Sequence, residues 1–171
     1  MTTASIPPDD PRRELTVTHP DAAHATHVWL AGNVYTLLIG GADTAGRYCL
    51  IDMRIPDGGG PPPHRHDFEE MFTILTGQID FTVRGTTTTA REGTTVNIPA
   101  NAPHFFRNTS GAPARMLCMC TPSGQEEYFL RVGDRITDPT SLPRALTEDE
   151  QADRRRLAED LAATYRTELL T

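Results

Sequence analysis

The sequence predicts an all-β domain, a sandwich or barrel of short antiparallel strands, with an N-terminal arm and a C-terminal helix. From Val28 to about Arg131, short apolar or alternating segments are separated by turn residues at intervals of roughly 8–12 residues, which is typical of such folds. No helical period is found in that stretch of the sequence. Beyond Asp134 the pattern changes, because Thr147 and Glu150 form a capping box that opens a helix pattern continuing to about residue 170.

Eight segments carry strand patterns. In one of them, Ile79, Phe81 and Val83 alternate with polar residues, as expected for an antiparallel strand with one buried face. The predicted strands cover residues 34–39, 47–55, 70–75, 78–84, 94–98, 104–107, 114–121 and 127–132.

The length of 171 residues fits one domain with terminal appendages. We divide the chain into an arm (1–25), a β domain (26–133) and a linker with a helix (134–171). The arm carries one possible strand, in the alternation that begins at Leu15. On the helix, Leu157, Leu161 and Tyr165 form an apolar stripe, which is expected to pack on the β domain or on a partner subunit, with the arginines at 154–156 on the solvated face.

Charge and composition exclude several classes of function. The chain has 16 basic and 23 acidic residues, a formal charge of -7, and no run of basic residues that could follow a phosphate backbone, so neither nucleic acid nor an anionic membrane is an expected partner. All the basic residues are arginine, which excludes Schiff-base chemistry and a lysine-bearing phosphate loop. The N-terminal residues lack a basic start and an apolar stretch, so we expect a cytoplasmic location.

Several residues with reactive side chains are expected to have structural roles only. The cysteines are interpreted as reduced, buried, small hydrophobic residues, because disulfides are rare in the cytoplasm. Histidines in or near the arm are interpreted as surface residues. The residues concerned are Cys49, Cys118 and Cys120, and His19, His24 and His27.

A different group of histidines predicts a metal site. His64 and His66 are two residues apart, so their imidazoles project from the same face of an extended chain, and Glu70 has the same parity. The glycine turn and the proline run at 58–63 fix the direction in which the chain reaches His64. Glu69 could replace Glu70 as a ligand if the strand bulges there.

A fourth ligand candidate comes from a later strand. His104 follows three predicted hairpin turns and the bend at 99–103, so an antiparallel arrangement could place it beside the first three residues. Imidazole nitrogens with one carboxylate suit Fe, Mn, Co, Ni, Cu or Zn, whereas Ca and Mg prefer shells made of oxygen. Arg65 and Asp67 alternate with the ligands and are expected to form salt bridges on the outer face.

These spacings resemble the two motifs of the cupin superfamily. The first motif, Gly-x5-His-x-His-x3-Glu-x6-Gly, is met in full between residues 58 and 77, and the second, Gly-x5-Pro-x-Gly-x2-His-x3-Asn, is met between residues 93 and 108 with one departure. Asn101 stands where the family has glycine, and asparagine is a common substitute in a left-handed turn.

The resemblance implies a fold and a site. The fold would be a small antiparallel jelly-roll barrel, which commonly pairs into a homodimer. One divalent transition metal would be bound inside it by His64, His66, Glu70 and His104. On an octahedral ion this ligand set would leave positions for a small-molecule substrate, water or dioxygen.

Scaffold segments at 43–46, 60–64, 103–108 and 122–129 also resemble the bacterial quercetinase-like dioxygenases. In that group a flavonol hydroxyl gives its proton to the ligating glutamate and dioxygen then opens the heterocyclic ring, which would make Glu70 both ligand and catalytic base. Because side chains alternate between the two faces of a strand, Phe72, Ile74 and Phe106 are expected on the same faces as the ligands. They could form an apolar substrate pocket or part of the barrel core.

Three functions therefore follow from the sequence. The first is a metal-dependent dioxygenase of a flavonol-like aromatic substrate. The second is a metal-dependent cyclase, isomerase or decarboxylase that consumes no oxygen, and the third is a module that binds a small ligand without turnover.

Overall fold

The computed structural model describes residues 6–140 and 146–170, which form two antiparallel sheets facing each other. The described strands are β1 (Thr26–Leu30), β2 (Asn33–Ile39), β3 (Cys49–Ile55), β4 (His64–His66), β5 (Glu69–Thr76), β6 (Gln78–Val83), β7 (Thr86–Arg91), β8 (Thr95–Ile98), β9 (His104–Arg107), β10 (Ala114–Thr121), β11 (Asp134–Ile136) and β12 (Thr167–Leu169). The helices are α1 (Gly41–Thr44), α2 (Gln125–Val132) and α3 (Glu148–Ala162). No helix in the described ranges is long and apolar enough to cross a membrane.

The order of strands explains how distant residues meet. The larger sheet has the order β11-β1-β2-β3-β10-β5-β8, and the smaller sheet has the order β12-β4-β9-β6-β7. Strands that are far apart in sequence, such as β3 and β10, are direct neighbours. The predicted all-β jelly roll with a C-terminal helix is confirmed.

The core lies between the two sheets, where the inward faces of both meet. In β10 the residues at alternating positions from Ala114 to Cys120 are buried and those between them are only partly buried, which is the period of two that one covered face requires. Large side chains such as Phe72, Phe81 and Ile51 are 2% exposed or less. The apolar core thus occupies the interior of the barrel.

The first seven predicted strands are present, and the eighth prediction is wrong. Residues 125–132 form helix α2 instead of a strand. Glu126 stabilises the start of the helix, because its carboxylate accepts hydrogen bonds from the backbone N–H groups of Gly124 and Gly41 (both 2.7 Å). Gln125, Tyr128 and Val132 are buried on one face of the helix. In the sequence this helical spacing is hard to detect, because the consecutive apolar residues at 128–130 also fit a strand.

The C-terminal helix begins as predicted and ends earlier. The capping box between Thr147 and Glu150 is formed, which confirms the start of α3. The helix ends at Ala162, a short 3-10 turn follows, and Arg166 adopts a left-handed conformation (φ 58°) before β12 begins. β12 pairs with β4, so the C-terminal segment covers what would otherwise be an open edge of the smaller sheet.

One expectation about α3 is met and one needs correction. The helix packs on α2, which lies within residues 26–133: Tyr165 contacts Tyr128 (ring centroids 5.5 Å apart) and the Tyr128 hydroxyl donates to the carbonyl of Ala158. Arg154 is not part of a fully solvated face, because its guanidinium donates to the carbonyl of Val132 and pairs with Asp134.

The N-terminal segment contributes no strand before Thr26 within the described residues, so the possible strand at Leu15 is absent. The expectation that His27 is a surface residue is also wrong. His27 lies in β1 and is only 4% exposed, and its Nδ1 is 2.8 Å from the hydroxyl of Thr36. His19 and His24 are exposed, as expected.

Candidate metal centre

Four polar side chains meet inside the barrel. His64 and His66 come from β4, Glu70 from β5 and His104 from β9, and each is 8% exposed or less. One ligand atom from each residue lies within 4.8 Å of the other three. The structure therefore brings together all four residues that the sequence predicts as metal ligands, and this cluster could hold one metal ion.

The backbone around β4 explains why these side chains converge. His64 is paired directly with His104 on β9. Gly60 precedes β4 with a φ of 146°, and a side chain there would collide with the carbonyl oxygen of Phe106. Asn101 adopts the left-handed conformation expected of it (φ 66°), and its N–H donates to the carbonyl of His66 (2.6 Å). The two motif loops are therefore bonded to each other.

Each imidazole is oriented by a hydrogen bond to the backbone. The Nδ1 atoms of all three histidines are 2.9 Å from carbonyl oxygens, those of Pro62, Phe68 and Ala102 respectively. A carbonyl oxygen only accepts hydrogen bonds, so each Nδ1 must carry the proton. In the neutral rings Nε2 then presents its lone pair to the centre, which is the tautomer that a metal ion requires.

The contacts of Glu70 supply a test of whether a cation fits. Its Oε2 lies 3.0 Å from Nε2 of His66 and 3.2 Å from Nε2 of His104. Because Nδ1 holds the proton in both neutral rings, lone pairs on nitrogen would face a carboxylate oxygen at these distances. A proton or a metal cation is needed among these atoms to make the arrangement favourable, and the donor set suits a transition metal.

The same contacts perturb the pKa values of the cluster. Burial, followed by the positive charge of His104, lowers the pKa of His64 to about 4. Burial alone would raise the pKa of Glu70, but a proton held between its carboxylate and Nε2 of His104 and His66 outweighs burial, so that pKa lies well below its usual range. Burial would lower the pKa of His104, but the hydrogen bond and the charge of Glu70 raise it. Glu70 is therefore ionised at neutral pH.

Residues next to the ligands face away from the centre. Glu69 accepts hydrogen bonds from the side chain of Asn97 (2.9 Å) and the backbone N–H of Ala100 (3.1 Å), so it does not compete with Glu70. The predicted outer-face salt bridges are confirmed, and both are made with residues of the C-terminal segment. Arg65 pairs with Glu168 (2.5 Å) and Asp67 pairs with Arg166 (2.6 Å).

Sequence reasoning missed the thiols beside the centre. Cys118 Sγ is 3.2 Å and Cys120 Sγ is 3.8 Å from Glu70 Oε1, and all three side chains are buried. Burial raises the pKa of the Cys118 thiol to about 12. The sequence shows only that Cys118 and Cys120 project from the same face of one strand. It does not reveal that β10 lies beside β5.

The three residues expected beside the ligands are all in the interior. Phe72, Ile74 and Phe106 are 1–3% exposed, and the rings of Phe72 and Phe106 are in edge-to-face contact with centroids 5.6 Å apart. Both rings also contact Phe81. Their role as a substrate pocket stays a prediction.

A groove of about 390 Å³ lies close to the centre. Its lining comes from the start of α2, the 3-10 turn before β12, and Phe68. The ring of Phe68 is stacked on the imidazole of His66, with centroids 3.8 Å apart and planes nearly parallel. Phe68 therefore contacts both the groove and a ligand of the candidate centre.

Fold and site together define an antiparallel jelly-roll barrel with a candidate mononuclear metal centre. Residues 51–120 match the family model of the cupin domain, Cupin_2. This match runs from within β3 to within β10 and includes all four clustered residues. It supports the cupin superfamily. A comparison with curated proteins found no match.

Three solved structures share this fold. The polyketide cyclase RemF from Streptomyces resistomycificus is 24% identical, with a TM-score of 0.56 over 80% of this chain and 90% of that chain. A predicted oxalate decarboxylase from Thermotoga maritima is 17% identical, with a TM-score of 0.55 over 62% of this chain and 98% of that chain. The Cnp3 cupin domain from Schizosaccharomyces pombe is 17% identical, with a TM-score of 0.51 over 58% of this chain and 71% of that chain. At these identities the likeness establishes the fold.

Proposed function

We propose that this protein is a metal-dependent enzyme that acts on a small planar aromatic substrate with an acidic phenol or enol hydroxyl. The observation that carries the proposal is the convergence of three imidazole Nε2 atoms and one carboxylate oxygen in a buried site. A ligand set of this size leaves coordination positions for substrate, as catalytic metal sites do.

A bound divalent transition metal would act as a Lewis acid on a substrate oxygen. Glu70 is ionised at neutral pH, so it can accept the proton of a substrate hydroxyl. Its low pKa makes it a weak base, so the proton would be held only briefly and passed on. The three backbone carbonyls that bind Nδ1 keep the imidazoles in one orientation during this transfer.

The first candidate reaction is a ring closure or isomerisation that consumes no oxygen. The likeness to the polyketide cyclase RemF, which extends over 80% of this chain and 90% of that chain, supports this candidate. Such a reaction needs a polarised carbonyl and a base for an enol proton. The residues of the centre could supply both the metal binding and the base.

The second candidate is a dioxygenase of a flavonol-like substrate. The segments at 43–46, 60–64, 103–108 and 122–129 that resemble quercetinase-like dioxygenases support it. The proton transfer to Glu70 would be the same in both reactions. The candidates therefore differ in whether dioxygen is consumed.

Metal-loaded protein would be tested with flavonols and with linear aromatic poly-β-ketones, in air with an oxygen electrode and under anaerobic conditions. Metal-dependent product formation without oxygen would support ring closure or isomerisation, and oxygen uptake that matches product would support the dioxygenase. Substrate binding without product in either atmosphere would overturn the enzyme proposal in favour of a binding module. Elemental analysis of protein from its native host would identify the metal.

The Glu70→Gln variant tests the role of Glu70 as the catalytic base. Glutamine keeps a side-chain oxygen near the ligand position but cannot accept the proton at neutral pH. We expect the variant to lose about 100-fold or more in kcat. Its metal content is expected to fall less than that of a variant that lacks one imidazole, and unchanged kcat would exclude Glu70 as the base.

A further inference from the structure

The two oxygens of the Glu70 carboxylate lie in different surroundings. Oε2 faces the imidazole nitrogens of His66 and His104. Oε1 faces sulfur, and its hydrogen-bond partners within residues 6–140 and 146–170 are the thiols of Cys118 and Cys120. One side of the carboxylate therefore belongs to the candidate metal centre and the other to the wall of the barrel.

Strand register explains this arrangement. β10 lies between β3 and β5, and Cys120 is paired with Cys49 on one side and with Glu70 on the other. Cys118 is two residues away on the same inward face of β10. Its Sγ is the nearer of the two thiols to Oε1, at 3.2 Å against 3.8 Å. The contact of Cys118 is within the range of a sulfur hydrogen bond, with the thiol as donor and the carboxylate as acceptor.

The number of carboxylate oxygens that bind a metal affects how many positions remain for substrate. A carboxylate can bind through one oxygen or through both. If Oε1 is engaged by a thiol hydrogen, binding through Oε2 alone is favoured. If Oε1 is free, the carboxylate can rotate and offer both oxygens, which would occupy a position that substrate needs.

We propose that Cys118 is a positioning residue that holds Glu70 in one-oxygen coordination by donating a hydrogen bond to Oε1. This inference rests on the proposed metal-dependent function, and it assigns a role to a side chain outside the cluster of three histidines and Glu70. Cys120 lies farther from Oε1 and acts as the packing neighbour of Cys118, with the two sulfur atoms 3.7 Å apart.

The test uses Co(II) as the bound metal and azide as a probe of the substrate position. Cys118→Ala and Cys118→Val remove the donor, with Val keeping most of the volume, and Cys118→Ser restores a donor. Cys49→Ala is the matched control, because it removes another fully buried thiol that has no hydrogen bond to Glu70. The readouts are cobalt content, the visible absorption spectrum and the Kd for azide.

We expect Cys118→Ala and Cys118→Val to bind cobalt with an altered visible spectrum and to weaken azide binding about tenfold, as outer-shell changes at metal sites do. Cys118→Ser should restore both towards wild type, and Cys49→Ala should resemble wild type. An unchanged azide Kd in both donor-free variants would overturn the inference. So would a serine variant that behaves like the alanine variant, because loss of packing would then explain the effect.

Two other results would overturn the inference in recognisable ways. A sulfur-to-cobalt charge-transfer band in the wild type that disappears in Cys118→Ala would make Cys118 a ligand instead of a positioning residue. Failure of the wild type to bind cobalt or any other transition metal would remove the metal centre itself. That failure appears in the wild type, so it is distinguished from a failure that concerns Cys118 alone.

Discussion

His64 and His104 are directly opposed on neighbouring antiparallel strands, and their ring centroids are 4.3 Å apart. The pairing of β4 with β9 thus joins the histidines of the two motifs, which are separated by β5 to β8 in the sequence. The distance between these rings is set by the sheet. The geometry of the centre consequently depends on the backbone as well as on the side chains.

The first prediction concerns metal content. His104→Ala and His66→Ala each remove one Nε2 from the cluster, so metal content after dialysis should fall at least about tenfold. His24→Ala removes an exposed histidine outside the cluster and should retain the wild-type content. Elemental analysis of the three purified variants checks this, and equal occupancy in all of them would contradict the ligand assignment.

The second prediction concerns the turn at Asn101. This residue has a φ of 66°, and its N–H donates to the carbonyl of His66. Asn101→Val places a β-branched side chain in a left-handed conformation, which should cost about 1–2 kcal/mol in the free energy of unfolding. Asn101→Gly should leave stability unchanged within about 0.5 kcal/mol. Urea denaturation of both variants checks this, and equal losses would indicate that the side chain matters more than the backbone conformation.

Seven of the strands, and the grouping of His64, His66 and Glu70, could be predicted because each depends on local spacing, whereas His104 was placed through the second cupin motif. A period of two identifies Ile79, Phe81 and Val83 as one face, and the spacing of His64, His66 and Glu70 places them on one side of an extended chain. Pairing between distant strands is not encoded locally. For this reason the contact of Cys118 with Glu70 could not be predicted.

Two of the elements that were predicted wrongly show the limit of pattern analysis. The apolar run at 128–130 suits a strand as well as a helix, and the hydrogen bonds that Glu126 accepts from the backbone N–H groups of neighbouring Gly124 and distant Gly41 favour the helix. The residues of β12 continue the helix pattern of α3. They form a strand because β4 offers unpaired backbone groups at the edge of the smaller sheet.

The third prediction concerns an ion pair on the outer face of the larger sheet, between the buried Asp52 and the partly exposed Arg115. Asp52 is 1% exposed, and Arg115 binds its carboxylate with three contacts of 2.8–3.0 Å. Arg115→Ala would leave this carboxylate buried without its partner and should lower the free energy of unfolding by about 3 kcal/mol.

The control for this pair is the exposed pair of Asp153 and Arg156, whose side chains are each 69% exposed. Arg156→Ala should leave the free energy of unfolding nearly unchanged, because solvent screens such pairs. Denaturant titration of both variants checks the difference. If Arg115→Ala were as stable as the wild type, Asp52 would have to be stabilised by other groups.

The fourth prediction concerns the homodimer that the cupin resemblance implies. Leu15 and Val17 are two residues apart in the N-terminal segment, and they are 90% and 78% exposed within the described chain. Exposed apolar side chains in this pattern suit an arm that packs on a second copy. Light scattering should therefore give twice the chain mass of 18.8 kDa.

Substitution of the same arm tests where the second copy packs. Leu15→Ser with Val17→Ser removes two apolar side chains, and each should weaken the dimer about tenfold or more if it is buried on association. Thr16→Ser with Thr18→Ser alters the intervening polar residues of the same segment and should leave the dimer intact. A monomeric wild type would refute the homodimer, whereas a dimer that survives the first pair of substitutions would place the interface elsewhere.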